Sequence, residues 1–105
     1  MDGEILRSIR KSPLRRDVLK YLGAIYPDKA YPDQIGRDID KLGRNILGCL
    51  VGMPTQGYAP EYSLVSLNLV TVIEKSGKKY YQLNRPFADE VLELINEKRR
   101  VEVEI

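Results

Sequence analysis

The stretch from Leu64 to Asn84, LVSLNLVTVIEKSGKKYYQLN, constrains this chain more than any other. An apolar run (Leu69, Val70, Val72, Ile73) breaks at Ser76-Gly77, and a second run follows in which Tyr81 and Leu83 alternate with Tyr80 and Gln82. Two such runs around a two-residue, glycine-bearing break read as a β-hairpin, because a tight turn of that kind matches the twist of its strands. Lys75, Lys78 and Lys79 crowd the tip. A ribbon with a basic tip is a candidate probe for nucleic acid.

Upstream, the pattern changes to helical spacing. Ser12-Pro13 opens a helix, since a serine oxygen accepts from the free N–H groups of the first turn and proline fits the first helical position. Leu14, Val18, Leu19, Leu22 and Ile25 then form an apolar stripe, with Arg15, Arg16, Asp17 and Lys20 expected on the wet side. Ile5, Leu6 and Ile9 hint at a short amphipathic turn or two before it, and Tyr26-Pro27-Asp28 stops it. Pro32 starts a second helix with Ile35 and Ile39 facing inward. Asp40 to Gly43 reads as a tight turn, and Arg44 to about Val51 as a third helix burying Ile46, Leu47 and Leu50. Two short helices joined by a glycine-bearing turn form a helix-turn-helix pair. Gly52 to Pro60, GMPTQGYAP, is a loop, and Glu61 to about Asn68 is expected to be a last short helix before the hairpin. After Arg85-Pro86, Phe87, Val91, Leu94 and Ile95 recur at helical spacing. The ending VEVEI alternates like a strand or frays.

At 105 residues the chain holds one domain with one modest core. The expected class is mainly α with a small β-hairpin, that is, α+β. Hydrophobic residues at 43% and charged residues at 30% suit a globular chain. No apolar run approaches the roughly 20 residues of a membrane-spanning helix, and MDGEILRSIRK lacks a signal-peptide core, so the expectation is a cytoplasmic protein with no membrane partner. The formal charge of +2 is unevenly spread: from Arg85 onward acidic residues outnumber basic ones by two, leaving +4 on the body. Cys49 is the single cysteine and histidine is absent. That removes an intrachain disulfide, most soft or imidazole metal sites, and Ser-His-Asp or Cys-His catalysis. No phosphate-cradling glycine loop is present either, so no enzyme activity, cofactor or metal is expected.

From Ser12 to Asn84 the pattern resembles the winged helix-turn-helix transcriptional regulators of archaea and bacteria, particularly small dimeric ones of the ArsR-like kind. SLVSLNLVTVIEKSGKKYYQL carries the resemblance most specifically: it is similar to the family's leucine-rich approach to the wing, with Asn68-Leu69-Val70 where Gly-Leu-Val is usual. Asparagine tolerates the left-handed backbone that glycine takes there. The resemblance implies a winged helix over residues 1–84, with residues 85–105 an added C-terminal helix and tail of the same single domain. It also implies double-stranded DNA as partner, transcriptional regulation as function and a homodimer as the working form.

On that reading Lys41, Arg44 and Asn45 would enter the major groove, where Arg pairs bidentately with guanine and Asn with adenine. Lys75, Lys78 and Lys79 would touch phosphate from the wing, and Arg15 and Arg16 would clamp the backbone. The alternative for each is a solvated surface charge, and lysines also guard edge strands. Gln56, Tyr58 and Tyr62 could meet DNA or a small ligand, or simply pack. Gly48 and Gly52 permit a close approach, by another helix or by DNA. Cys49 is a sensor or a small core residue. Phe87, Val91, Leu94 and Ile95 would pair two copies, or fold back on their own core. A non-enzymatic DNA-binding regulator is thus the leading expectation, and a winged-helix module that binds protein is the alternative.

Overall fold

The computed structural model describes residues 3–85 together with Asp89 and Glu93. Four α-helices precede an antiparallel two-stranded hairpin among these residues, giving a small α+β domain. No helix among them is long and apolar enough to cross a membrane.

The first helix, α1 (Gly3–Lys11), is more regular than the expected turn or two. Ile5, Ser8 and Ile9 are buried, at the i, i+3, i+4 spacing of one helical face. Helix α2 (Pro13–Ile25) begins where the capping signal places it: the Arg15 N–H donates to Ser12 Oγ at 3.1 Å, and Pro13 occupies the first turn. Val18, Leu19 and Leu22 are fully buried. The helix ends before Pro27, and the Tyr26–Pro27 peptide is cis.

Ala30 follows as a one-residue strand. Its N–H donates to the Tyr81 carbonyl at 3.0 Å and its carbonyl accepts from the Tyr81 N–H at 2.7 Å, so the edge of the hairpin is extended by a single bridge. Helix α3 (Pro32–Ile39) ends on Asp40 in the left-handed region, φ 60°. Helix α4 (Gly43–Val51) then buries Ile46, Cys49 and Leu50, while Leu47 is only half-buried.

Residues 61–68 do not form the expected α-helix. A 3-10 turn at Pro60–Tyr62 leads into successive turns to Asn68. The backbone is committed elsewhere: the Leu64 N–H donates to the Cys49 carbonyl at 3.0 Å and the Val65 N–H to the Leu50 carbonyl at 2.9 Å. Carbonyls in the last turn of a helix have no intrahelical donor. This segment gives two of its donors to α4, and its remaining bonds, such as Leu67 N–H to the Ser63 carbonyl and Asn68 N–H to the Val65 carbonyl, close local turns.

The hairpin comprises β1 (Val70–Lys75) and β2 (Lys78–Leu83), in register Val70↔Leu83 through Lys75↔Lys78. Ser76 (φ 53°) and Gly77 (φ 78°) are both left-handed, as a two-residue type I′ turn requires. Asn68 takes φ 61°, the conformation expected of it just before the strand. Tyr81 and Leu83 point into the core and Tyr80 and Gln82 are half-buried, which fixes the strand's inner face.

Candidate nucleic-acid interface

The turn between α3 and α4 is held by the Lys41 N–H, which donates to the Gly36 carbonyl at 2.8 Å. That bond closes α3 and projects the next residues outward. Lys41 and Arg44 are exposed and Asn45 is half-buried at the start of α4. Leu42, between them, is 57% exposed, the largest exposure among the large apolar side chains described. Sequence reasoning missed it, although a leucine inside a polar turn, DKLG, is the signal that could have shown it. A shallow cleft at this turn is lined by Tyr31, Asp33, Arg37, Asp40, Lys41 and Leu42, so two carboxylates share it with the two cations.

Lys75, Lys78 and Lys79 are exposed at the hairpin tip. Lys75 faces Lys78 across the register, and Glu74 faces Lys79. The one ion pair among the described residues, Arg85–Asp89 at 3.0 Å, involves none of them. The like charges of Lys75 and Lys78 raise the local positive potential, while Glu74 offsets Lys79.

A ladder of rings and cations connects the hairpin to the cleft. Lys29 Nζ lies 5.7 Å from the ring centre of Tyr80 on β2. Tyr80 meets Tyr31 edge to face, with centroids 6.1 Å apart. Arg37 on α3 sits over Tyr31, 5.9 Å from its centre, and donates from Nη2 to the Tyr31 hydroxyl at 2.8 Å. Cation–π and edge-to-face contacts each favour a fixed geometry. Tyr31 also lines the cleft, so one connected surface runs from β2 to Lys41 and Leu42.

The proposed backbone clamp divides. Arg16 is half-buried. Arg15, expected on the wet side, is 5% exposed, and its Nη1 donates to the Ser8 carbonyl at 3.4 Å. Helix α1 closes over it, so its guanidinium ties α1 to α2 and is not presented to a phosphate. Its Nε is buried without a partner.

Gly48 and Gly52 have their close neighbours within the chain. A Cβ at Gly48 would lie 2.5 Å from Cδ2 of Tyr58, and one at Gly52 would run into Pro60. The loop after α4 therefore folds back over that helix, pinned by the Met53–Tyr58 bridge. Tyr58 covers the middle of the outer face of α4 and leaves its first turn, with Arg44, open. Gln56 is exposed, and Tyr62 is half-buried with Lys11 Nζ 5.8 Å from its ring centre.

Cys49 is fully buried. Burial pushes its thiol up to about 11, against the opposing influence of the Arg15 charge and a hydrogen bond with Ser12. Such a thiol is packed and unreactive at neutral pH. No cluster of three or more metal-ligating side chains occurs among the described residues. Phe87, Val91, Leu94 and Ile95, the expected dimer contacts, lie outside the described residues.

The sequence matches a family model described as EarA-like over residues 5–94. It is also 35% identical over 97 residues to Uncharacterized protein MJ0905 of Methanocaldococcus jannaschii, covering 92% of this chain and 86% of that protein. The ArsR-like kind is not the family matched. The chain belongs to the EarA-like family.

Proposed function

We propose that this protein is a winged-helix DNA-binding transcriptional regulator. It works in the cytoplasm as a homodimer through its C-terminal helix and catalyses no reaction. In this reading α3 and α4 form the helix-turn-helix, Ala30 is the short first strand, and the hairpin is the wing. The observation that carries it is the ladder Lys29–Tyr80–Tyr31–Arg37, which joins the lysine-tipped hairpin to the turn bearing Lys41 and Arg44. Lys75, Lys78, Lys79 and Arg16 supply phosphate contacts, and Lys41, Arg44 and Asn45 supply groove contacts. Arg15 has a structural part only.

The covering of α4 by Tyr58 favours a second reading, a winged-helix module that binds protein through Leu42 and the 52–62 loop. It is separable from the first. A mobility shift on random-sequence duplex across a salt series, beside a light-scattering mass, tests the regulator. Binding that weakens steeply with salt, by a dimer, supports it; a monomer without affinity for duplex at low salt rejects it in favour of the second.

A further inference from the structure

Helix α1 carries a basic face that the proposed regulator does not use. Its inner face is Ile5, Ser8 and Ile9, all buried. Gly3, Arg7, Arg10 and Lys11 lie on the opposite side, are exposed, and together line a shallow groove. Over this helix the sequence carries three basic residues against the single acidic Glu4. Arg7, Arg10 and Lys11 take no part in the one ion pair among the described residues. At about 1.5 Å of rise per residue, three cations fall within roughly 6 Å along the axis.

The helix is also rigidly mounted. Ser8 Oγ donates to the Tyr62 carbonyl at 2.7 Å, and Arg15 donates to the Ser8 carbonyl. Lys11 lies over the Tyr62 ring. The backbone that carries the stripe is therefore already held in place before an anion binds.

We propose that the outer face of α1 is a second phosphate-backbone contact, formed by Arg7, Arg10 and Lys11 and fitted to the sugar-phosphate chain of duplex DNA. Ile5 and Ile9 of α1 are spent on the core and are not available for insertion into a lipid surface. Arginines three residues apart on one face suit a row of phosphates, which they engage through forked donors. The contact carries affinity and no sequence information. This inference rests on the DNA-binding reading above.

The test compares the intact chain with Arg7→Gln/Arg10→Gln/Lys11→Gln and with Arg7→Lys/Arg10→Lys, by fluorescence anisotropy on a random-sequence duplex from about 50 to 200 mM salt. An unchanged melting temperature verifies the fold of each variant. The neutral variant is expected to bind on the order of tenfold or more weakly, with a log K against log salt slope shallower by about 2 to 3; the lysine variant keeps the native slope. A neutral variant that keeps both affinity and slope, while the native chain binds, overturns this contact alone and leaves the stripe to an acidic protein surface. Absence of duplex binding by the native chain removes the DNA-binding reading and this inference together.

Discussion

The ring of Tyr58 lies against Gly48 so closely that a β-carbon at position 48 would come within 2.5 Å of its Cδ2. Two parts of the chain ten residues apart are thereby locked: the outer face of α4 and the loop that follows it. Alanine at position 48 is expected to cost about 1–3 kcal/mol through overpacking, although alanine is the better helix former. In a Tyr58→Ala background the same substitution should instead gain up to about 1 kcal/mol. Urea melts of the four proteins in this cycle check the sign change. A stabilising Gly48→Ala in the native background would contradict the contact.

Arg15 and Arg16 are adjacent in sequence and differ in environment. Arg15→Ala removes a buried donor from the Ser8 carbonyl and opens space under α1, so a loss of about 1–3 kcal/mol is expected. The salt slope of any DNA binding should not change. Arg16→Ala should leave stability within about 0.5 kcal/mol and act on binding. Denaturation and binding measured side by side separate the two.

Cys49 makes stability fall at alkaline pH. Its folded-state pKa is raised from 9.0 to about 11, chiefly by burial. The unfolded chain therefore loses this proton first. The thiol's contribution is complete below about pH 9 and disappears as pH rises through 11, amounting to about 3 kcal/mol. Tyr21, raised to about 12 by burial and then by its hydrogen bond to Asp38, acts in the same direction at higher pH. Cys49→Ala should flatten the decline between pH 9 and 11, measured as urea midpoints. In the folded protein the thiol should also resist alkylation at pH 8, and rapid modification there would count against its burial.

The hairpin tip separates shape from charge. Gly77→Val places a β-branched residue at φ 78° and should cost about 1–2 kcal/mol without altering the three lysines. Ser76→Asn suits the type I′ turn and should be neutral or stabilising. If the wing acts as a shaped element, Gly77→Val weakens duplex binding at constant net charge, as anisotropy titration would show.

Local signals in the sequence were sufficient for much of this molecule. Ser12-Pro13 marked the start of α2, Ser76-Gly77 marked the hairpin turn, and Asn68 marked the left-handed entry to β1. Each depends on a few neighbouring residues. The failures depend on distant ones. Residues 61–68 have the apolar spacing of a helix, with Leu64 and Leu67 three apart, but the N–H groups of Leu64 and Val65 serve the end of α4. Ala30 is a strand one residue long, with no periodicity to betray it. Arg15 reads as wet because it is charged, and only the closure of α1 over it makes it internal. At the candidate interface Lys41, Arg44 and the three wing lysines were legible as exposed cations. The link through Tyr31, Tyr80 and Arg37 was not, because it exists only once Ala30 pairs with Tyr81 and brings Tyr31 beside Tyr80.

The central claim is that the α3–α4 turn and the hairpin tip engage one duplex together. Anisotropy titration of duplex DNA by the native chain, Arg44→Ala, Lys79→Ala and the double variant, across a salt series, tests it most directly. The account predicts steeply salt-dependent native binding and a slope reduced by about 1 for each substitution, in both single variants and additively in the double. Native binding whose slope is untouched by either substitution would contradict it.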